Sequence, residues 1–437
     1  MASVSVSAVL PASPEKTWDA LSDLSRWEEW LTIHQGWKSE LPTEVALGAK
    51  FTEVVSVMGM ANKIEWTVEE VEVPKMVKIA GTGMAGVTVE FILSVEADGA
   101  GSKATVDASF KGTMIVGPIG KAVAKNAKLI SRPRWPSSPS WSGNGSMTTP
   151  KTNAVEFDTS GLDVWTDPEH FEVTAERIAE YAAATNDPIE RHLKGEIAPP
   201  VFAVVPVFMS MAPAALSVAP VELLMKLVHG EQDFLFHRPI YPGDHLVARA
   251  KPIGFEGRDN GSTVVIYVET KTDKGELVNE QWMTAFFRKV DAGPGLGEKA
   301  PEHRFDDALR AGRPAAVVNQ HIDEDQTFRY SPASGDPMPI HLDEEIARMS
   351  GLPGIINHGL CTMAFTSWGA LTELAGGETE RLRRLAVRFA KPVLPTQDIE
   401  TVFYKSGSAD GATSYSYETS AVGDLVIKDG LAVIADK

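Results

Sequence analysis

"YSPASGDP" at residues 330–337 and "YAAATNDP" at residues 181–188 share Tyr, Ala, Asp and Pro in the same places, 149 residues apart. A second pair of anchors, "FAKPVLPTQDI" (389–399) and "FHRPIYPGDHL" (236–246), stands 153 residues apart. Two offsets that agree within four residues define a duplicated unit, and the duplication decides the fold. Its seam falls in the Gly- and Pro-rich text of residues 291–303, giving repeats over 153–292 and 293–437.

Each repeat runs in the same order: a helix, a loop, an apolar helical segment, then alternating strands. "STVVIYVETKT" with "ELVNEQWMTAFFRKV", and "IETVFYKSG" with "TSYSYETSAV", are period-two runs suited to antiparallel pairing. "GLCTMAFTSWGALTELAGG" is apolar almost all round and stops at Gly376 and Gly377, as a helix buried against a curved sheet should. A sheet wrapped around one buried helix is the hotdog arrangement. The expected class is α+β, with a double hotdog made of two curved antiparallel sheets, each around a central helix.

Ahead of the repeats, residues 131–152 are rich in Pro, Ser and Gly and read as a linker, which leaves residues 1–130 as a separate domain. That domain opens with an alternating strand, and Ser13 and Pro14 announce a helix at N-cap and first-turn positions. Gly81, Gly83 and Gly86 have the spacing of a dinucleotide fingerprint, but an alternating strand pattern follows them where a phosphate-binding helix is needed, so they predict a hairpin or bulge.

The 437 residues carry 41 basic and 59 acidic side chains, a net charge of −18 that would repel nucleic acid. No apolar run is long enough to span a bilayer, and the first residues lack the basic start of a signal peptide. The single cysteine, Cys361, fits a reducing cytoplasm. No Cys/His cluster argues for a metal, and neither metal nor redox cofactor is expected.

Asp336 and His341 are separated by five positions that include Pro337 and Pro339. The prolines stiffen the link at reduced entropic cost, and a stiff link can aim a carboxylate and an imidazole at one water. Asp323 with Gln326 predicts a capping box for the helix before them, which ends near Ser334 and Gly335. Gly359 stands where the buried helix begins, and first-turn N–H groups there can hold an oxyanion. Such a set can add water across a double bond conjugated to a thioester, or remove it. His358 and Cys361 read as packing residues. Arg384, with Arg381 and Arg383 in "RLRRL", is the candidate for contacts to substrate phosphates.

"SGDPMPIHLDE" followed by "INHGLCTMAF" resembles the signature of the MaoC-like, (R)-specific enoyl-CoA hydratases, and the double hotdog resembles that family's duplicated members. The resemblance implies Asp336 and His341 as the catalytic pair, Gly359 as the oxyanion donor, and an acyl-CoA or acyl-carrier thioester as substrate. Met338 replaces the family's asparagine beside the substrate. In the first repeat Asp187 and His192 keep the five-residue spacing, yet no His-Gly follows at a helix start, and Pro206, Pro213 and Pro220 break its central segment. That repeat is expected to bind the acyl chain without doing chemistry. A homodimer stays open, although a double hotdog already contains the pairing single hotdogs obtain by dimerising.

The strand, the helix holding "W..LSD..RW..W" and the strands after it resemble the START-like (SRPBCC, helix-grip) polyketide cyclase/dehydrase and lipid-transfer family. This implies a lipid or polyketide ligand, with Trp18, Trp27, Trp30 and Trp37 as core and cavity wall and residues 119–130 as a short lid. Two other functions fit the same residues: a non-catalytic carrier or regulator of hydrophobic ligands, and a polyketide-pathway dehydratase acting on carrier-protein thioesters.

Overall fold

A computed structural model describes residues 2–31, 33–57, 60–83, 87–111, 155–220, 223 and 226–437. The expected linker, the short lid and Gly86 lie outside them. The chain divides into two compact units, the first Met1–Lys151 with Val221–Met225 and the second Thr152–Pro220 with Lys226–Lys437.

In the first unit seven antiparallel strands lie in the order Ala2–Leu10, Gly101–Lys111, Thr88–Asp98, Met76–Thr82, Met60–Glu72, Lys50–Val57, His34–Trp37. Helix Pro14–Ser22 starts with the Ser13 hydroxyl accepting from the Lys16 N–H and buries Trp18 and Leu21 against the sheet. Trp27 and Trp30 pack edge to face at 5.6 Å and join the same core, with Trp37 against it. Gly81 sits in a strand, and the next described element, Thr88–Asp98, is also a strand.

In the second unit the two repeats run through their elements in the same order. The first supplies helix Ala175–Ala184 and strands Leu227–Phe236, His245–Arg258, Gly261–Thr272 and Leu277–Arg288; the second supplies helix Gln326–Ser334 and strands Leu382–Phe389, Asp398–Ala409, Ala412–Ala421 and Asp424–Ala435. The predicted pairings form, with Tyr267 opposite Trp282 and Phe403 opposite Tyr417. The two curved halves join edge to edge, Leu227–Phe236 beside Leu382–Phe389, into one 11-stranded sheet. Tyr181 and Tyr330, the first residues of the two repeated motifs, meet with their hydroxyls 3.2 Å apart.

The central elements differ as their sequences do. Gly359–Leu374 is one helix of 16 residues with Cys361, Phe365 and Leu371 fully buried, ended by Gly376 and Gly377 in left-handed conformations. The proline-rich counterpart is a 3₁₀ turn, Pro200–Val204, followed by a nine-residue helix, Phe208–Leu216, with Pro213 inside it.

Arg384 departs from its expected role. Its strand turns the guanidinium onto Asp233 across the join between repeats, with Nη2 donating to Oδ2 at 2.7 Å and Nε to Oδ1 at 3.0 Å. Asp233 is almost wholly buried, so the pair neutralises an interior charge and engages the Nε and Nη2 edge of Arg384. Arg381 likewise donates to the Ala375 and Ala435 carbonyls, leaving Arg383 as the exposed member of the run. Asp323 is not the helix cap either. The helix begins at Gln326, and the Asp323 carboxylate accepts instead from Asn186 of the other repeat, while only the reciprocal bond, Asp323 N–H to Gln326 Oε1, forms.

Candidate active site

Helix Gln326–Ser334 ends on Gly335, whose φ of +79° turns the chain sharply and leaves Asp336 just past the exit. Its backbone carbonyl accepts from the Ser331 hydroxyl at 2.7 Å, and its Oδ1 accepts from the Met338 N–H at 3.0 Å. Pro339 then opens a 3₁₀ turn, Pro339–His341, rather than extending the chain, and this turn presents the imidazole. His341 Nδ1–H donates to the Ile356 carbonyl at 2.8 Å, which fixes the tautomer and leaves the Nε2 lone pair for chemistry. Met338 contributes its N–H; its thioether offers no strong hydrogen bond where an amide would.

Asp336 is 9% exposed and His341 8%. Burial raises the Asp336 carboxyl above the ordinary aspartate value, opposed by the His341 charge and the Met338 N–H. Burial lowers His341 below the ordinary imidazole value, opposed by Asp336. The carboxyl is thereby a stronger base than a solvated one, and the imidazole stays neutral at physiological pH.

Gly359 is the first residue of the central helix, so its N–H has no partner within that helix. A Cβ there would lie 3.2 to 3.4 Å from the Phe389 ring, a tight contact. Glycine lets a substrate carbonyl approach the amide closely.

His358, expected to be packing, stands inside the site. Its ring stacks on His341 with centroids 3.8 Å apart at 26°, and its Nε2 lies 3.3 Å from the Asp336 carbonyl oxygen. One ligand atom from each of Asp336, His341 and His358 falls within 4.8 Å of the others. Two of the ring nitrogens are already engaged by backbone carbonyls, His341 Nδ1 by Ile356 and His358 Nε2 by Asp336. The "NHG" text was the available signal for His358; what it lacked was any indication that the helix start folds back onto His341.

The first repeat supplies the contrast. His192 Nδ1–H donates to Asp187 Oδ2 and Nε2 accepts from the Thr379 hydroxyl, both at 2.7 Å, while Asp187 Oδ1 accepts from the Ile189 N–H. Both ring nitrogens and both carboxylate oxygens are used. Asp187→Ala is therefore expected to cost about 1–3 kcal/mol of stability by orphaning buried donors, and to leave kcat within about threefold. Turnover lost as completely as with a change at Asp336 would show that this repeat also does chemistry.

Three family models match the chain: "Polyketide cyclase / dehydrase and lipid transport" over residues 1–135, "FAS1-like, dehydratase domain region" over 161–281, and "MaoC like domain" over 308–424. A Mycobacterium tuberculosis protein named as a toxin is 40% identical over 124 residues, covering 28% of this chain and 86% of that protein. The probable enoyl-CoA hydratase 2 of Dictyostelium discoideum is 28% identical over 211 residues, 48% of this chain and 70% of that one. The crystal structure of a MaoC-like dehydratase from Phytophthora capsici matches with a TM-score of 0.56 at 23% identity, over 63% of this chain and 97% of that one, a likeness of fold.

Proposed function

Since the chain belongs to the MaoC-like dehydratases through its second unit and to the polyketide cyclase/dehydrase and lipid transport family through its first, we propose that it is a hydro-lyase interconverting trans-2-enoyl and (R)-3-hydroxyacyl thioesters. One observation supports this most: among the described residues, Asp336 Oδ2 and His341 Nε2 make none of the hydrogen bonds that close the matching pair in the first repeat. One ligand atom of each lies within 4.8 Å of the other and of His358, the residue that precedes the first amide of the central helix.

A water between the two acceptors has both hydrogens engaged and an oxygen lone pair directed at Cβ of the enoyl chain. As the C–O bond forms, Asp336 takes a proton from the water, and negative charge moves onto the thioester oxygen, held by the Gly359 N–H. The enolate then collapses and takes the proton at Cα. Dehydration runs the same steps in reverse. His341 holds the water throughout, and its neutral form is required for that.

Coenzyme A is the proposed thioester carrier, as the name of the Dictyostelium relative supports. The first repeat, with its interrupted central segment, is proposed to seat the acyl chain. The first unit would take a separate hydrophobic ligand, a lipid or polyketide, in keeping with its family. A cytoplasmic setting is proposed on the lone, buried thiol of Cys361; no helix among the described residues is long and apolar enough to cross a membrane. The test is loss of enoyl-thioester absorbance on adding pure protein to trans-2-enoyl chains of graded length, on coenzyme A and on a carrier protein, with chiral analysis of the 3-hydroxy product. Absence of turnover on every chain would overturn the proposal. Turnover on the carrier protein alone would reassign the substrate.

A further inference from the structure

The hydrogen bond from His341 Nδ1 to the Ile356 carbonyl fixes one point of the imidazole, about which the ring can still pivot. Something must stop that pivot if Nε2 is to share a water with Asp336. The flat face opposing the ring belongs to His358, at 3.8 Å and 26°.

His358 is itself held on several sides. It is 1% exposed, its Nε2–H donates to the Asp336 backbone carbonyl, and Tyr330 packs on its ring at 4.9 Å. Tyr330 is braced in turn by the Tyr181 hydroxyl from the first repeat. The Asp336 carbonyl thus receives two donors, Ser331 Oγ–H and His358 Nε2–H, which pin the backbone carrying the catalytic carboxylate. The peptide that presents the Gly359 N–H is the one joining His358 to Gly359. A single residue is therefore tied to the base, to the water-holding imidazole and to the oxyanion donor.

We propose that His358 is the positioning residue of this active site, setting the plane of His341 by stacking and the backbone of Asp336 by hydrogen bonding, without touching substrate. The inference rests on the hydro-lyase reading above. Two further observations fit it. His358 Nδ1 is buried with no partner among the described residues, a cost that packing alone does not explain. Burial and the facing His341 also hold His358 well below the ordinary imidazole value, so it remains uncharged beneath the catalytic ring. The titratable groups that bear on His341 are Asp336, on the turn before it, and His358, at the start of the central helix.

The experiment compares wild type with His358→Phe, which keeps a flat ring, and His358→Ala, which removes it. For each, kcat and KM on the best enoyl thioester, the pH profile of kcat/KM, the melting temperature and the ring-nitrogen NMR titration of His341 are recorded. Misplaced groups cost 10- to 100-fold in rate. His358→Ala is expected to lose about 100-fold in kcat with KM within about threefold, and to move the His341 titration upward as water enters. His358→Phe should recover roughly tenfold of that loss by restoring the stack. Wild-type rates and an unmoved His341 titration in either folded variant would overturn the inference while leaving the reaction intact. Should a variant's melting temperature collapse, His341 titration in the other decides. An inert wild type would instead overturn the hydro-lyase reading, and the NMR titration would still report whether His358 controls His341.

Discussion

Asp336→Asn is expected to lower kcat for enoyl-thioester hydration by about a thousandfold, within the range for loss of a general base, while leaving the protein as stable as wild type or more so. The amide keeps the shape and can still accept from the Met338 N–H, but it cannot take the proton from the water. The stability half follows from the direction of the shift. Burial raises the folded-state value above that of an unfolded aspartate, so the folded protein holds the proton more tightly. The stability this gives is complete below the unfolded value and is lost as pH rises through the folded one. At pH 7 the buried carboxylate thus weighs against folding, and asparagine removes that weight. Calorimetry beside the absorbance assay checks both halves; a folded variant with wild-type kcat would remove Asp336 from the chemistry. For wild type, rate should fall as pH drops through the window between the ordinary carboxylate and imidazole values, where the coupled pair takes up protons.

Arg384→Ala should be the most damaging change to stability among those considered. It leaves the Asp233 carboxylate, 2% exposed at its side chain, with no guanidinium in the join between repeats. Removing one partner of a buried ion pair costs about 3–5 kcal/mol, a fall of roughly 10 °C in melting temperature for a unit of this size. Replacing both residues with leucine should recover most of it, since the interior charge then disappears along with its partner. If Arg384 instead bound a phosphate of the substrate, the single variant would melt normally and show only a raised KM.

Much of the site was legible because its signals are local. The two prolines between Asp336 and His341, the glycine ending one helix and the glycine opening another act through neighbouring backbone, so spacing and the family signature point to them as candidates. The duplication was readable for the same reason, since each anchor is a short motif whose tyrosine or proline has a fixed structural job. What escaped depends on contacts distant in sequence. Arg384 in a basic run reads alike whether its strand turns it to solvent or onto Asp233, which lies 151 residues earlier. Asp323 satisfied the local pattern of a cap, but Asn186, 137 residues away, claimed its carboxylate. His358 looked like helix-end packing because the stack on His341 is created by the return of the chain through Ile356, which periodicity does not encode. The retained spacing of Asp187 and His192 did not reveal that Thr379 of the other repeat occupies the free nitrogen.

The central claim is that Asp336 and His341 act together on one water. The double-mutant cycle of Asp336→Asn and His341→Gln, read as kcat/KM on a single enoyl thioester, tests it most directly. Groups that work as a unit are strongly non-additive, so the double variant is expected to be about as slow as the slower single variant. Losses that multiply in the double variant would mean that the two residues act on separate steps or separate molecules, and would contradict the account.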